Sequence, residues 1–304
     1  MHLNALRALG AVIEEGDIIY ARAAKLKGNE IKLPFPSVGA TENAMLAAVL
    51  AEGTTVIKNS AREPEIEDLQ KYLNAIGGKV KGAGTGEIVV EGVKELHDCE
   101  EHSIMPDRIE AGTYMIASAA TGGKVFVRNI VPSHVFSLIE LLYNIGCKIE
   151  IYHNAVYVES TKRKLDTLGG ISVRTLPYPG FPTDLQAPLT SLLSVTSGAS
   201  VVEETIFENR FKHVPELVKM GADIEYIGKK SILINGVERL VGCDLVSSDL
   251  RCGASLLIAG LCAVGDTYID DDHFIERGYA DIEKKFQMLG GRVKTVKLCA
   301  ARTV

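Results

Sequence analysis

Hydrophobic and polar positions along this chain fall into two kinds of helix–strand unit that alternate from one end to the other. In the first kind an amphipathic helix stops at Gly and runs into a strand: "NALRALGAVI", "DLQKYLNAIGGKV", "SLIELLYNIGCKI", "HVPELVKMGADI" and "DIEKKFQMLGGRV". The stopping glycines, Gly10, Gly77, Gly146, Gly221 and Gly290, lie 67, 69, 75 and 69 residues apart. Glycine at that point permits the left-handed turn that closes a helix C-terminus. In the second kind a more apolar helix meets Gly and then an alternating strand: "ENAMLAAVLAEGTTVIKN", "GTYMIASAATGGKVFVRN", "LTSLLSVTSGASVVEE" and "ASLLIAGLCAVGDTYIDD". Its glycines, Gly53, Gly123, Gly198 and Gly265, are spaced by 70, 75 and 67. Further alternating strands, "EIVVEGV", "AVYVEST" and "SILINGV", follow the amphipathic helices.

Each repeat therefore holds two helices and about four strands, too long for ankyrin or TPR units and too strand-rich for a helical solenoid. The pattern predicts an α/β fold of α+β repeats. The apolar helices, at 42–53, 110–122, 184–197 and 251–264, are expected to be buried, and the amphipathic ones to cover sheets. The chain opens on a half-repeat and closes on another, an arrangement that leaves sheet edges and apolar faces uncovered.

Composition narrows the class. A chain of 304 residues suffices for two ordinary domains, each with its own core. A net charge of -6 argues against nonspecific attraction to nucleic acid. The longest apolar run, "ASLLIAGLCAV", falls well short of the roughly 20 residues a membrane span needs, and the N-terminus has no signal-peptide layout. No membrane insertion is expected. The six cysteines, Cys99, Cys147, Cys243, Cys252, Cys262 and Cys299, are scattered without a CxxC pair. That spacing favours reduced thiols in a cytoplasm, with no metal and no cofactor.

Several loops concentrate polar chemistry. "IMPDRIEAGTYM" carries Asp107, Arg108 and Glu110, and "TIFENRFKHVPEL" carries Glu208, Asn209, Arg210 and His213. "VSSDLRCGASLL" carries Asp249 and Arg251, and "HFIERGYADIEKK" carries Glu276, Arg277 and Tyr279. Taken alone, each Arg reads first as a surface ion pair. Arg108 and Arg251, however, stand at equivalent points of their repeats, just before an apolar helix. Guanidinium forks on one rim suit a phosphate or carboxylate ligand. "LPFPSVGATENAML" enters its helix through Gly39, either as a phosphate-accepting backbone or as a plain Thr41 N-cap. In "PGFPTDLQAPLTSLLSV", Thr183 or Asp184 could cap a helix, or Asp184 could face a substrate and take its proton.

The ordered set "PSVGATENAML", "AREPEIEDL", "PDRIEAGT", "FPTDLQA", "FENRFKHVPEL", "DLRCGASL" and "ERGYADIEKKFQMLGG" resembles the UDP-N-acetylglucosamine 1-carboxyvinyltransferase (enolpyruvyl transferase) family. The resemblance runs from Ser37 to Gly291 and so covers most of the chain. It implies a two-domain, inside-out α/β barrel of βαβαββ units with the active site between the domains. Here that would give an incomplete first domain, 1–104, of half a repeat plus one full repeat. The second domain, 105–304, would hold three repeats and lack a strand supplied N-terminally. The implied reaction moves enolpyruvate from phosphoenolpyruvate to the 3-hydroxyl of UDP-N-acetylglucosamine, the step that opens peptidoglycan synthesis. 5-Enolpyruvylshikimate-3-phosphate synthase shares the fold and chemistry and is the lesser alternative.

Residue by residue, the resemblance makes Asp184 the general base at the sugar hydroxyl and puts Arg251 and Arg277 on the phosphoenolpyruvate side. Arg108, Arg210 and Asp249 would line the same site. Phe35, Pro36, Ser37, Val38 and Gly39 match the segment that holds the nucleotide, Ile206 touches the UDP-sugar, and His2 matches a His of the family. Some relatives have Lys where Phe35 stands. The resemblance also carries a departure. The family's acid, usually a Cys on a mobile loop, and a Lys-Asn pair for phosphoenolpyruvate lie upstream of the point matching Met1-His2. The chain is therefore expected to be truncated at its N-terminus. A homologue that binds a nucleotide sugar without turning it over is the competing expectation.

Overall fold

A computed structural model describes residues 1–160 and 170–296; Cys299 lies outside the described residues. The chain divides into two compact units, Met1–Met105 with Pro177–Gly180, and Pro106–Leu176 with Phe181 onward.

The first unit begins with α1 (His2–Ala8), β1 (Val12–Glu14) and β2 (Tyr20–Arg22), the strands forming an antiparallel pair. A complete βαβαββ run follows: β3 (Glu30–Lys32), α2 (Val38–Ala48), β4 (Thr54–Lys58), α3 (Pro64–Ala75), β5 (Lys79–Lys81) and β6 (Glu87–Glu91). Its sheet has the order β3-β4-β6-β5, the first pair parallel and the others antiparallel. Strand alternation puts Ile57, Ile88, Val80 and Val90 on the face that packs with Met45 and Ala48 of α2 and Ile66 of α3.

The second unit repeats this plan three times, once in full. Its first copy is α4 (Arg108–Thr121), β7 (Lys124–Arg128), α5 (Phe136–Asn144), β8 (Lys148–Tyr152) and β9 (Ala155–Glu159), in a three-stranded sheet β7-β9-β8. The full copy is β10 (Ile171–Arg174), α6 (Gln186–Ser194), β11 (Ala199–Glu203), α7 (Val214–Lys219), β12 (Asp223–Tyr226) and β13 (Ser231–Asn235). Its sheet order, β10-β11-β13-β12, reproduces that of the first unit. The last copy is β14 (Asp244–Val246), α8 (Leu250–Cys262), β15 (Tyr268–Asp270) and α9 (Ile282–Met288), with β14 and β15 parallel.

The apolar helices α4, α6 and α8 pack together at the centre of this unit, and every residue of α6 is buried. Glycine makes the close approach possible: a Cβ on Gly112 of α4 would sit 2.6 Å from Leu185, and one on Gly253 of α8 would sit 2.5 Å from Ile275. The hydroxyls of α6 and α8 buried there find partners, whereas those of Tyr114 and Ser118 in α4 make no hydrogen bond to the described residues. Ser191 and Ser255 bond each other at 2.7 Å, and Ser194 donates to the Thr190 carbonyl one turn back at 2.8 Å. By contrast α9 buries Phe286 alone and α7 only Val214 and Leu217, as their amphipathic spacing requires.

The stopping glycines of the amphipathic helices adopt φ from +90° at Gly221 to +101° at Gly146. In the other series the left-handed residue after α4 is Gly122, one place before the expected Gly123. Among the described residues the sheets stay separate, because each ends on a strand with no further partner, and no closed barrel forms.

Candidate active site

The polar groups of the second unit gather where its central helices begin. Asp107 precedes α4 and caps it, accepting from the Ile109 and Glu110 amides at 2.7 and 2.9 Å. Asp249 does the same for α8, accepting from the Arg251 and Cys252 amides at 3.0 and 2.9 Å. These carboxylates satisfy orphan N–H groups and suit the positive end of the helix dipole.

Asp184 stands at the corresponding point before α6, in the one-turn 3-10 helix Thr183–Leu185, and caps nothing. Its Oδ1 accepts from Arg210 Nη2 at 2.5 Å and from Arg251 Nε at 3.1 Å. Its Oδ2 accepts no hydrogen bond from the described residues, and the side chain is 38% exposed. Burial pushes the Asp184 carboxyl upward, but the guanidinium groups of Arg251 and Arg210 pull harder the other way and hold it below its ordinary value. At neutral pH Asp184 is a carboxylate with one open oxygen, which is the state a base must be in.

Arg251 is fixed from behind. Its Nη1 donates to Tyr279 Oη at 3.2 Å, and that phenol, 1% exposed, lies 2.9 Å from Thr113 Oγ1. Thr113 gives its only hydroxyl proton to the Ile109 carbonyl at 2.9 Å, so Tyr279 must donate to Thr113. The phenol oxygen is thereby left as an acceptor toward Arg251. Burial raises the Tyr279 pKa, so it remains a neutral phenol. Two of the five Arg251 N–H groups are thus engaged, and the other three make no hydrogen bond to the described residues. Arg210 lies over the Phe207 ring at 4.7 Å, within cation–π range.

Other expected groups sit differently. His213 is buried, and burial first, with Arg210 second, pushes its pKa down to about 3 against the opposing pull of Asp249. It is a neutral core imidazole at neutral pH. Arg277 is exposed in the one-turn helix Ile275–Arg277 and joins no ion pair among the described residues, so the structure does not bring it to Asp184. Arg108 opens α4 and is half-buried. Cys252 follows Arg251 in sequence but is 1% exposed, with its thiol pushed up by burial. Cys99 packs half-buried against the core of the first unit.

In the first unit the helix start of α2 is capped by Ser37, whose Oγ accepts from the Ala40 amide at 3.4 Å. Thr41, the residue the spacing nominated, is buried; it donates to the Ser37 carbonyl at 2.8 Å and accepts from the Ala61 amide at 3.0 Å. His2 is folded onto this turn. A Cβ on Gly39 would meet His2 Cε1 at 3.0 Å, and His2 Nδ1 lies 2.6 Å from Asn43 Nδ2. Phe35, Pro36, Val38 and Gly39 are half-buried around that contact.

Two groups were missed by the sequence reading. Thr113, which directs the Tyr279 phenol, lies one turn inside an apolar helix. Glu204 had a signal that went unused: period-two alternation through Ser200 and Val202 puts it on the inward face, and it is 1% exposed.

A family model described as EPSP synthase (3-phosphoshikimate 1-carboxyvinyltransferase) matches residues 1–286. The chain is 49% identical over 294 residues to UDP-N-acetylglucosamine 1-carboxyvinyltransferase 1 of Caldanaerobacter subterraneus subsp. tengcongensis, covering 96% of this chain and 69% of that protein. It is 50% identical over 298 residues to the UDP-N-acetylglucosamine 1-carboxyvinyltransferase of Desulforapulum autotrophicum, covering 98% and 70%. Among solved structures, the enolpyruvyl transferase NikO from Streptomyces tendae superposes with a TM-score of 0.85 over 95% of this chain and 71% of that one. An EPSP synthase from Acinetobacter baumannii gives 0.68 over 94% and 69%. Both are 22% identical, a likeness of fold. No helix among the described residues is long and apolar enough to cross a membrane.

Proposed function

Because the chain belongs to the EPSP synthase family, we propose that it transfers the enolpyruvyl group of phosphoenolpyruvate to the 3-hydroxyl of UDP-N-acetylglucosamine and releases phosphate. The observation that supports this most is the Asp184 group, a carboxylate held by two arginines with one oxygen open, in a chain about half identical to enzymes of that name.

In this reading Asp184 Oδ2 takes the proton of the sugar hydroxyl while its oxygen bonds to C2 of phosphoenolpyruvate. The methylene carbon gains a proton from an acid that is not among the residues named here, giving a tetrahedral adduct. Loss of a proton from that same carbon then restores the double bond as the C2–O bond to phosphate breaks. Arg251, with Arg277, Arg108 and Arg210, answers the phosphate and carboxylate charge. Cations held in place before the reaction stabilise developing charge without reorganising. Asp249 keeps Arg251 at the helix start by capping α8. His2 and the segment Phe35–Gly39 serve the nucleotide side, and Ile206 the sugar. The compartment we assign is the cytoplasm, from the unpaired cysteines.

Calorimetric titration with UDP-N-acetylglucosamine, followed by phosphate release from phosphoenolpyruvate, tests the reading. Saturable binding is expected, and any phosphate release should require the nucleotide sugar and disappear in Asp184→Ala. Binding without release would favour a nucleotide-sugar-binding homologue. Release that responds to shikimate 3-phosphate instead would favour the sister reaction.

A further inference from the structure

Glu204 is buried, and no Lys or Arg pairs with it among the described residues. Its carboxylate instead accepts four hydrogen bonds. Oε1 receives the Thr175 hydroxyl at 2.9 Å and the Ile206 and Phe207 amides at 2.8 and 3.1 Å. Oε2 receives the Thr183 hydroxyl at 2.8 Å. A carboxylate without a cation is costly to bury, and only such a full set of donors makes the site tenable.

The donors share a property that packing alone does not require. Thr183 adjoins Asp184, Ile206 is a proposed sugar contact, and the Phe207 ring carries the Arg210 guanidinium. Thr175, at the end of β10, is tied to the same loop a second time. Its carbonyl accepts from the Thr205 hydroxyl at 2.5 Å and its hydroxyl oxygen accepts from the Thr205 amide at 2.9 Å. One buried side chain therefore joins the turn that holds Asp184 to the loop that holds its partner Arg210.

We propose that Glu204 is a positioning residue, which sets the Asp184 turn and the 205–210 loop at a fixed separation so that base, sugar contact and arginine are arranged before substrate arrives. What the positioned groups do rests on the transferase reading; the positioning itself rests on geometry alone. A displacement of about 1 Å between reacting groups can cost on the order of 10²-fold in rate, so a residue that touches no substrate can govern turnover.

The test uses Glu204→Gln, which keeps the shape but converts one acceptor into a donor, and Thr183→Val, which cuts only the bond to Oε2. Thr183→Ser, which restores the hydroxyl, is the rescue. The first readout is the Asp184 carboxyl titration followed by carbon NMR, which does not depend on turnover. In the wild type Asp184 is expected to titrate below its ordinary value. In Glu204→Gln and Thr183→Val it is expected to rise as the carboxylate withdraws from Arg210 and Arg251, and in Thr183→Ser to return. The second readout is phosphate release, where Thr183→Val is expected to lower kcat about 10- to 100-fold while the KM for phosphoenolpyruvate changes by no more than about 2-fold. Wild-type titration curves in Glu204→Gln and Thr183→Val, with only the thermal midpoint reduced, would overturn the proposal and leave Glu204 a residue of the fold. A wild-type protein that releases no phosphate would count against the transferase reading, while the titration would still decide the positioning.

Discussion

Asp107 and Asp249 on one side and Asp184 on the other occupy the same point of successive repeats and do different work. The first two are bound to the amides of their own helices, so their carboxylates are structural. Asp184 is turned away from α6, which starts instead through a tight turn after Pro182 and relies on complete burial. What α6 forgoes is about 1 kcal/mol, the usual contribution of an N-cap. What the protein gains is a carboxylate whose position is set by long-range partners and whose second oxygen is open. A repeated scaffold frees a carboxylate where one copy is released from the duty its siblings perform.

The sharpest way to break this contrast is to remove Asp184. Asp184→Ala is expected to lower phosphate release by about 10² to 10⁴, the range for a positioned proton-transfer group, with at most a small change in urea midpoint. A loss of stability as large as that of a true cap deletion, with activity retained, would make Asp184 another structural aspartate.

The next largest effect concerns His213, which faces both kinds of aspartate system: Asp249, the capping acid, and Arg210, the partner of Asp184. Its folded pKa lies near 3 against an ordinary 6.5. The folded state therefore binds fewer protons than the unfolded chain between those values. The stability that neutral His213 allows is full above pH 6.5 and is lost progressively as pH falls toward 3. Each unit of pH within the window changes stability by up to about 1.4 kcal/mol for one proton. Urea midpoints at pH 7 and 4.5 should show a smaller acid loss in His213→Gln than in the wild type. Equal losses would mean that the imidazole is not held neutral.

Much of this arrangement was legible in the chain, for identifiable reasons. The repeat emerged because glycine-stopped helices and alternating strands are local signals, and α4, α6 and α8 lie buried where the apolar spacing put them. The Asp107 and Asp249 caps are equally local, settled within three residues, but the sequence reading took these carboxylates for loop chemistry and put Asp249 among the residues lining the site. The other failures are matters of long-range geometry. Spacing nominated Thr41 as a cap, yet Ser37 caps because Thr41 is drawn inward to the Ala61 amide. Tyr279, two residues past exposed Arg277, points inward, which the motif did not signal. The Tyr279–Thr113 bond spans 166 residues and the Arg251–Asp184 bond 67, and no local pattern encodes either. The sequence pattern also allowed Asp184 to cap α6; in the structure it makes no cap and is held by Arg210 and Arg251 instead.

Tyr279→Phe sharpens the comparison from the arginine side. It deletes the acceptor for Arg251 Nη1 and leaves Thr113 Oγ1 without its donor, while the ring and its packing remain. A hydrogen bond to a charged group is worth about 1.5 to 3 kcal/mol, so the KM for phosphoenolpyruvate is expected to rise on the order of 10-fold. Binding of UDP-N-acetylglucosamine should change little. In an Arg251→Lys background the same substitution should add almost nothing, because the phenol acts through the guanidinium. Additive losses would place Tyr279 in contact with substrate on its own account.

The smallest expected effect is the one that returns to the two classes of aspartate. Asp107→Ala removes a carboxylate that serves two amides at the start of α4 and, among the described residues, joins no ion pair. About 1 kcal/mol of stability should be lost, read as a lower urea midpoint at unchanged slope. Asp107→Asn should recover most of it, because an amide oxygen caps nearly as well as a carboxylate. For Asp184 the conservative exchange should fail. Asn at that position keeps an acceptor but loses the charge that holds Arg210 and Arg251 and the basicity that the sugar hydroxyl requires. The decisive measurement is the pair of ratios, Asn to wild type, for stability at position 107 and for phosphate release at position 184. Near-complete recovery at 107 with none at 184 is the expected pattern. Recovery at both would mean that Asp184 acts through shape alone, and the division between capping and chemical aspartates would collapse.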